Sequence, residues 1–296
     1  MIAVIVNPVA GRGKAIAKFP DVRKILEHFS LKYEVFQTRG PYDATDIAQR
    51  IRDSGDFEKI LIVGGDGTIN EVIQSLVGSR IPILPVPLGT GNDFAKYLYP
   101  HKKFDSILYN YLLLDKAVDI DVGVVTLTGS ERYFINGMGI GFDSEVLKNM
   151  EKMRILKGDF LYTASAILTF LSFGGADLRI SINNGEQSFD GRLLLFNVGN
   201  GQYLGGGFRL FPKASLRDGL LDISMISPMG PKRFFTNFYK AFKGKHLHIP
   251  EVTYLKASQI AVSSQNPFCL QLDGELMKGL SEIEVHVLRK SLSVIL

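Results

Sequence analysis

The stretch KILIVGGDGTINEVIQSLV, residues 59–77, contains a strand, a glycine-rich turn and a helix in immediate succession. It opens with the apolar run Lys59–Val63, which predicts a buried strand, and it closes with a helical pattern over Ile69–Val77. Three glycines lie in the turn between them. Thr68 and Glu71 have the spacing of a capping box, which predicts that the helix begins directly after the turn.

The same order of strand, loop and helix recurs on both sides of this stretch. Apolar or alternating runs predict three further strands, at Ile2–Val6, Tyr33–Gln37 and Ile81–Val86. Helical periodicity predicts helices over Ala15–Phe29, Ala44–Arg52 and Phe94–Leu98. Because regular alternation of strands and helices is typical of a parallel sheet covered on both faces, the predicted fold class is α/β.

The pattern changes near residue 118. Most of the remaining chain predicts short strands separated by turn residues, interrupted by helical intervals over about residues 144–173 and 231–243. We therefore predict an α/β domain with a parallel sheet over residues 1–118. A second domain, a β-rich sandwich, is predicted over residues 119–290.

The composition is that of an ordinary globular protein, and it excludes few functions. The chain has 296 residues, of which 22% are charged, and its formal net charge is only +4. That small excess lacks the basic bias of a dedicated nucleic-acid binder, so we expect no nucleic-acid partner. Cys269 is the single cysteine, which excludes an internal disulfide and favours a cytoplasmic setting. The most apolar helical stretch, residues 160–173, is shorter than the roughly 20 residues that span a bilayer.

Three glycine-rich loops follow the first, third and fourth predicted strands, at Asn7–Lys14, Gly64–Asn70 and Pro87–Phe94. The carboxyl ends of parallel strands lie at one edge of a sheet, where the ligands of open α/β folds bind. Glycines let backbone amides approach an anion closely, and helix N-termini attract it. Each loop alone is also compatible with a plain strand-to-helix turn, but their coincidence favours a phosphate site.

Asp66 lies among these glycines. A carboxylate repels phosphate unless a cation lies between them, and Mg²⁺ binds oxygen ligands and nucleotide phosphates together. The alternative is a turn aspartate that bonds its own backbone. The segment Gly11–Ala15 lacks the spacing of a P-loop and the third glycine of a dinucleotide fingerprint, so neither of those sites is predicted.

Four motifs together resemble the diacylglycerol kinase catalytic family. They are NPVAG (7–11), GGDGTINEV (64–72), PLGTGNDFA (87–95) and QLDGE (271–275), and their order and spacing match over nearly the whole chain. The GGDGT loop resembles loops of NAD kinases and phosphofructokinases as well, whereas PLGTGNDF singles out the lipid-kinase branch. The chain is most similar to the soluble bacterial lipid kinases, which are related to sphingosine kinases.

This resemblance implies an N-terminal nucleotide domain, a C-terminal β-sandwich, and ATP in the cleft. It also implies that the last strand returns to the first domain, so that residues 291–296 complete it. The implied activity is ATP- and Mg²⁺-dependent transfer of the γ-phosphoryl group to a lipid hydroxyl. Diacylglycerol, giving phosphatidic acid, is the first candidate, although other lipid alcohols present the same hydroxyl group.

The resemblance also assigns residues to the implied site. Its ATP-binding set is Asn7, Pro8, Val9, Ala10, Gly11, Thr38, Gly64, Gly65, Asp66, Gly67, Thr68, Ile69, Asn70 and Thr90. Asp66 would act with Mg²⁺ and the phosphates, and Asp93 would support it. Glu275 resembles the general base that takes the proton from the lipid hydroxyl. Without the resemblance, Glu275 would be interpreted as an exposed residue after the Asp273-Gly274 turn.

Two further features of the family concern metal and phosphate. The segment Ser215–Leu220 resembles a second, structural Mg²⁺ site of bacterial members, with oxygen ligands from Ser215, Asp218 and Leu220. A plain Asp-Gly turn is the equal alternative. The second domain of the family contributes a basic residue to the phosphates, for which Arg154 and Lys157 are the candidates.

The partners and rival functions remain open at this point. The segment Lys232–Lys243 predicts an aromatic helical face flanked by lysines, which either packs on the sandwich or contacts a membrane surface peripherally. A homodimer is also left open. One rival function is an NAD kinase-type enzyme, although Asn70-Glu71 lies too close to the phosphate loop to hold an acceptor ribose. The other is a nucleotide-binding protein without catalysis, against which the intact Asp66 and Glu275 argue.

Overall fold

The computed structural model describes residues 1–114, 116–152, 165, 168–170 and 172–296. The chain forms two compact units. The first consists of Met1–Val122, Leu216–Gly219 and Leu288–Leu296, and the second of Gly123–Ser215 and Leu220–Val287. The candidate basic residues Arg154 and Lys157 lie outside the described residues, as does most of the apolar stretch 160–173.

The first unit is built on a parallel sheet. Its strands are β1 (Ile2–Val6), β2 (Tyr33–Gln37), β3 (Lys59–Gly64) and β4 (Ile83–Pro87), which lie in the order β2-β1-β3-β4. Val294, in the last strand of the chain, pairs in parallel with Ile83 on the other side of β4. The helices of this unit are α1 (Lys14–His28), α2 (Asp43–Ser54), α3 (Asp66–Leu76), α4 (Asp93–Leu98) and α5 (Phe104–Tyr111).

Both faces of this sheet are covered by helices. Val4, Leu61 and Leu84 pack in one hydrophobic cluster with side chains of α1 and α5. Helices α2 and α3 pack against each other and contact β1 and β3 respectively. Strands that are buried on both faces have continuous apolar sequences rather than alternating ones, which explains the run Ile60–Val63. The predicted α/β class is confirmed.

The strand order places a crevice between β1 and β3. From β1 the chain passes to β2 on one side, and from β2 it crosses to β3 on the other side. At such a switch point the loops at the carboxyl ends of the two central strands diverge, and ligands of open α/β sheets bind between them. The first two glycine-rich loops flank this crevice.

The second unit is antiparallel. Its strands are β5 (Ala117–Leu127, which begins in the first unit), β6 (Ser130–Phe134), β7 (Gly137–Gly141), β8 (Ala176–Ile182), β9 (Gln187–Leu193), β10 (Leu195–Gly199), β11 (Leu221–Ile226), β12 (Val252–Ala257), β13 (Gln259–Leu272) and β14 (Glu275–Ile295, which ends in the first unit). The main order is β12-β11-β10-β7-β13-β14, with β8 paired to both β13 and β9, and β5 paired to β6. The helices with described bounds in this unit are α6 (Phe142–Lys152) and α7 (Pro231–Phe242).

Alternation along these strands separates two faces. Ile140, Phe196 and Leu270 belong to the main hydrophobic core of the unit, together with residues of β8 and β11. The alternate residues of β7 are the glycines Gly137, Gly139 and Gly141, on the opposite face. Among the helices that the described ranges contain, none combines the length and the apolar character needed to cross a bilayer.

Candidate nucleotide and acceptor sites

Asn7, directly after β1, joins the first two glycine-rich loops across the crevice. Its backbone N–H donates to the carbonyl oxygen of Val63 in β3 at 3.1 Å. Its side-chain Nδ2 donates to Oγ1 of Thr68 at 3.0 Å, and its Oδ1 accepts the backbone N–H of Val9 at 3.2 Å. Val9 itself is 76% exposed, so its side chain lies in solvent at the tip of this loop.

Asp66 joins the second loop to the third. Its two carboxylate oxygens accept the backbone N–H groups of Asp93 and Phe94, each at 3.0 Å. These are the first two residues of α4, so the carboxylate satisfies donors that have no partner within that helix. Asp66 is itself the first residue of α3, and Gly65 is the N-cap. The predicted capping box is therefore wrong: Thr68 lies inside α3 and not at its start.

Glycine allows the second and third loops to touch. A Cβ on Gly65 would lie only 2.9 Å from the Cα of Gly89. The side chain of Asn92 holds Gly89 from the other side, since its Oδ1 accepts the Gly89 N–H at 2.9 Å and its Nδ2 donates to the Gly89 carbonyl at 3.0 Å. Gly67 is different: it is exposed, and a Cβ there would meet nothing within 4 Å.

The remaining residues of the predicted ATP set lie at the same edge of the first unit. Thr38 is buried just after β2, where its backbone N–H donates to the carbonyl of Val6 at 2.9 Å. Thr90 is exposed in the third loop. Gly11 has a φ of +60°, and a Cβ there would overlap the carbonyl oxygen of Leu88. The structure thus brings the three predicted loops together and leaves part of their backbone exposed.

Glu275 is the first residue of β14, in the second unit. Its Oε2 accepts a hydrogen bond from an Nη atom of Arg132 at 2.6 Å, and 34% of the Glu275 side chain is exposed. Sequence analysis did not identify Arg132, because it lies 143 residues away in β6 and no local pattern marks it. The guanidinium holds the carboxylate in one orientation, which a free turn residue would lack.

Asp273 fixes the turn that precedes Glu275. Its carboxylate accepts three backbone N–H groups, from Ile135 at 2.8 Å, Asn136 at 3.0 Å and Gly137 at 2.8 Å. Its own N–H donates to the carbonyl of Gly137 at 2.9 Å. The turn is therefore tied to the connection between β6 and β7.

Asp218, of the predicted second metal site, lies in a segment held by a buried aspartate of the first unit, Asp121, that sequence analysis missed. Asp121 accepts the N–H of Gly219 at 2.7 Å and that of Lys290 at 2.8 Å, and its own N–H donates to the carbonyl of Leu216 at 2.7 Å. These bonds hold the segment that contains Asp218. Within the described ranges, His, Cys, Asp and Glu side chains do not gather in threes into a metal-binding cluster. The predicted set of Ser215, Asp218 and Leu220 is of another kind, since it relies mainly on backbone carbonyls.

Helix α7 packs on described residues of the second unit through part of its aromatic face. Phe234 stacks on Phe170 with ring centroids 4.1 Å apart, and Phe238 meets Phe208 edge to face. Three other aromatic side chains of the helix are exposed: Phe235 (48%), Tyr239 (63%) and Phe242 (42%). Both predicted roles of this helix therefore have a physical basis, because its rings pack on the unit and still leave apolar surface in water.

Both units resemble known protein families. The model of the "Diacylglycerol kinase catalytic domain" matches residues 1–125, and that of the "YegS C-terminal NAD kinase beta sandwich-like domain" matches residues 136–296. A diacylglycerol kinase of Staphylococcus carnosus (strain TM300) is 29% identical over 92% of this chain and 87% of its own. One of Bacillus subtilis (strain 168) is 28% identical over 92% of this chain and 88% of its own. A crystal structure of a diacylglycerol kinase from Bacillus anthracis str. Sterne shares the fold, with a TM-score of 0.73, 22% identity, and coverage of 99% of this chain and 96% of that one.

Proposed function

The chain belongs to the diacylglycerol kinase catalytic family, and on that premise we propose that it is an ATP- and Mg²⁺-dependent lipid kinase. The γ-phosphoryl group of ATP passes to a lipid hydroxyl, and diacylglycerol, giving phosphatidic acid, is the acceptor that we propose. The observation that carries the proposal is the joining of three glycine-rich loops at the crevice of the parallel sheet, through the side chains of Asn7 and Asp66.

In this proposal the backbone of the three loops binds the phosphates of ATP. The exposed position of Gly67 supports this role, because a Cβ there would meet nothing within 4 Å. Helix α3 begins at Asp66, and the partial positive charge at its N-terminus favours an anion there. Thr38 and Thr90, at the ends of β2 and β4, complete the proposed set.

The donor set at this edge fits Mg²⁺. Each oxygen of the Asp66 carboxylate accepts one N–H, and an ionised carboxylate has about four lone-pair positions in all. Asp66 can therefore also hold a hydrated Mg²⁺, which usually keeps several of its waters and binds through one or two carboxylates and the phosphates. When bound, the ion neutralises negative charge on the phosphates. We keep Ser215, Asp218 and Leu220 as a proposed second, structural Mg²⁺ site.

Glu275 acts as the general base in this proposal. It takes the proton of the lipid hydroxyl as the oxygen begins to bond to phosphorus, a role that typically contributes roughly 10²–10⁴-fold to the rate. Two contacts support it: the ion pair with Arg132 orients the carboxylate, and the Asp273 carboxylate fixes the preceding turn. Phosphoryl transfer depends chiefly on such positioning and on charge neutralisation.

The NAD kinase alternative is less well supported. It requires Asn70 and Glu71 to hold an acceptor ribose. Oε2 of Glu71 instead accepts the backbone N–H of Ala44 at 3.2 Å, at the start of α2, and Asn70 is buried. Both side chains are thus engaged within the first unit.

A direct assay separates the candidate functions. The protein is incubated with γ-labelled ATP and Mg²⁺, with diacylglycerol, monoacylglycerol, a sphingoid base, an isoprenoid alcohol or NAD in separate arms. We expect label in the diacylglycerol arm, and its loss when Mg²⁺ is chelated. Label in NAD alone would establish the NAD kinase alternative, and ATP binding without transfer to any acceptor would leave a nucleotide-binding protein.

We also propose that this is a cytoplasmic protein and that the exposed rings of α7 rest peripherally on an anionic membrane surface. The exposed rings of Phe235 and Tyr239 lie beside the exposed lysines Lys232, Lys240 and Lys243. Apolar rings that insert at the headgroup boundary, with lysines that attract anionic lipid, are the features of an interfacial helix. Such contact brings the enzyme to a lipid acceptor.

A further inference from the structure

A chain of hydrogen bonds in the second unit links Asp143, at the start of α6, to the turn before Glu275. Gln271 of β13 lies in the middle of this chain. Its Nε2 donates to Oδ2 of Asp143 at 3.2 Å, and its Oε1 accepts the backbone N–H of Gly274 at 3.0 Å. Gly274 is the residue directly before Glu275, and Gln271 is only 4% exposed.

The donors and acceptors along this chain allow one orientation of the Gln271 amide. The carboxylate of Asp143 only accepts, and its other oxygen already accepts the backbone N–H of Ser144 at 2.8 Å. The N–H of Gly274 only donates. The NH₂ group of Gln271 therefore has to face Asp143, and its oxygen has to face Gly274.

Gly139 makes room for this arrangement. It lies beside Gln271 in the pairing of β7 with β13, and a Cβ on Gly139 would overlap the Asp143 carboxylate. Although Asp143 keeps some exposed surface, its carboxyl group packs over Gly139 away from water, and this burial raises the pKa of Asp143 to about 6. Removing a carboxylate from water has a free-energy cost. A role in positioning other residues would explain why an aspartate occupies this site.

We propose that Asp143, acting through Gln271, is a positioning residue for Glu275; this rests on the proposed function, in which Glu275 is the base. A general base has to be held within hydrogen-bond reach of its proton. The turn consists of two residues with positive φ, Asp273 at +46° and Gly274 at +90°. Asp273 is fixed by its own carboxylate, whereas the Gly274 peptide is fixed by Gln271. Without the Gln271 contact the peptide can rotate, and Glu275 leaves its orientation.

Two single substitutions and their combination test the hydrogen-bond chain from Asp143 through Gln271 to Gly274. Asp143→Asn sets an NH₂ group against Nε2 of Gln271, and Gln271→Glu sets a carboxylate against that of Asp143. Each should lower kcat by roughly tenfold or more, because small misplacements of a reacting group are costly. In the double variant Asp143→Asn/Gln271→Glu the new amide donates to the new carboxylate, whose other oxygen accepts from Gly274. We expect kcat to recover in the double variant, as a coupled pair should show in such a cycle.

The readouts separate positioning from general damage. ATP affinity by calorimetry and the lipid KM should stay within about twofold of wild type, a change of about 0.4 kcal/mol. The reason is that the hydrogen bonds of Asp143 and Gln271 affect only the position of the base. Tyr254→Phe is the matched control: it removes a 2.6 Å hydrogen bond to the buried carboxylate of Asp222 in the same unit, far from the turn in sequence. It should lower Tm and leave kcat unchanged.

Several results would overturn the inference. Wild-type kcat in both single variants would do so, and a raised lipid KM with unchanged kcat would place Asp143 in acceptor binding instead. If Asp143→Asn fails to fold, Gln271→Met removes both contacts without changing charge, and wild-type kcat in that variant contradicts the inference. Full turnover in Glu275→Gln would remove the proposed base and this inference together. Loss of turnover in Glu275→Gln with full turnover in Gln271→Met would overturn this inference alone.

Discussion

At the residue scale, Asp66 combines two demands on one carboxylate. Its oxygens hold the first two N–H groups of α4, and the same group is the proposed partner of hydrated Mg²⁺. A residue with both functions is expected to affect stability and catalysis together. The sequence motif indicated the second function only, because the first depends on residues 27 and 28 positions away.

Asp66→Ala should therefore abolish turnover and also lower the free energy of unfolding. The expected loss of stability is roughly 1 kcal/mol, the usual effect of removing a side-chain helix cap. Denaturant unfolding and the ATP assay on the same preparation measure both. Unchanged stability would show that the bonds to α4 carry little weight, and full activity would refute the proposed site.

Glu275→Gln keeps the shape of the side chain and removes the base. Turnover should fall by roughly 10²–10⁴-fold, while ATP affinity stays nearly unchanged because the base acts on the acceptor. Glu282→Gln is the matched control, since Glu282 is an exposed carboxylate in the same strand. Steady-state kinetics at saturating lipid and ATP make the comparison. Equal turnover in the two variants would leave Glu275 without a catalytic role.

The loop glycines should divide into two kinds. Gly67→Ala adds a Cβ into open space near the start of α3, so stability should be kept or raised by up to about 1 kcal/mol, while ATP binding weakens. Gly89→Ala would overlap the Cα of Gly65 and should destabilise the first unit. Thermal melts and calorimetry with ATP distinguish the two effects. Unaltered ATP affinity in Gly67→Ala would contradict a phosphate cradle at that position.

At the element scale, α7 shows how one amphipathic pattern serves two surfaces. Its five aromatic residues were predicted to share one helical face. Phe234 and Phe238 pack inward, whereas the outer rings include Phe235 and Tyr239, which are about half exposed or more. Periodicity indicates an apolar face but does not say which part of it the protein itself will cover.

Charge reversal on α7 should release the protein from membranes. Lys232→Glu/Lys243→Glu removes two exposed positive charges and adds two negative ones beside the rings. Each basic residue near an anionic surface contributes about 1 kcal/mol, so binding to anionic vesicles should fall strongly and should already weaken at high salt in the wild type. Vesicle sedimentation measures this. Lys14→Glu/Lys24→Glu, two exposed changes on α1, serves as control, and equal loss there would indicate a general charge effect.

At the scale of the whole molecule, Asp143 should make global stability depend on pH. Its pKa is raised to about 6 by burial, above its ordinary 3.8, so the folded state binds the proton more tightly than the unfolded state. The stability that this protonation contributes is complete below about pH 3.8 and is lost as pH rises through about 6. The upper limit of this contribution to the free energy of unfolding is roughly 3 kcal/mol.

The difference in unfolding free energy between wild type and Asp143→Asn isolates this effect. Relative to the variant, the wild type should lose stability between about pH 4 and 6 and then level off. Denaturant unfolding at a series of pH values provides the measurement. A constant difference across that range would mean that the carboxyl group is better solvated than its position over Gly139 indicates.

The sequence by itself determined the elements of this protein and the edge at which its loops gather. Apolar runs and helical periods are local properties, so β1, β3 and α1 could be predicted to within a residue or so. Glycine-rich loops after successive parallel strands lie at one sheet edge whatever the distant contacts are. The start of α3 was misjudged because Thr68 with Glu71 mimics a cap, while the tertiary partner Asn7 takes the Thr68 hydroxyl instead.

The tertiary structure alone decided which side chains form hydrogen bonds with distant residues. The pairs Asn7–Thr68, Asp66–Phe94 and Arg132–Glu275 connect residues 61, 28 and 143 positions apart. No spacing rule in a single sequence marks such pairs, because their geometry depends on strand order and register. The same holds for Asp143 and Gln271, 128 residues apart, which meet where Gly139 has no Cβ to overlap the Asp143 carboxylate. Local sequence sets secondary structure, whereas hydrogen-bond partners depend on how those elements pack.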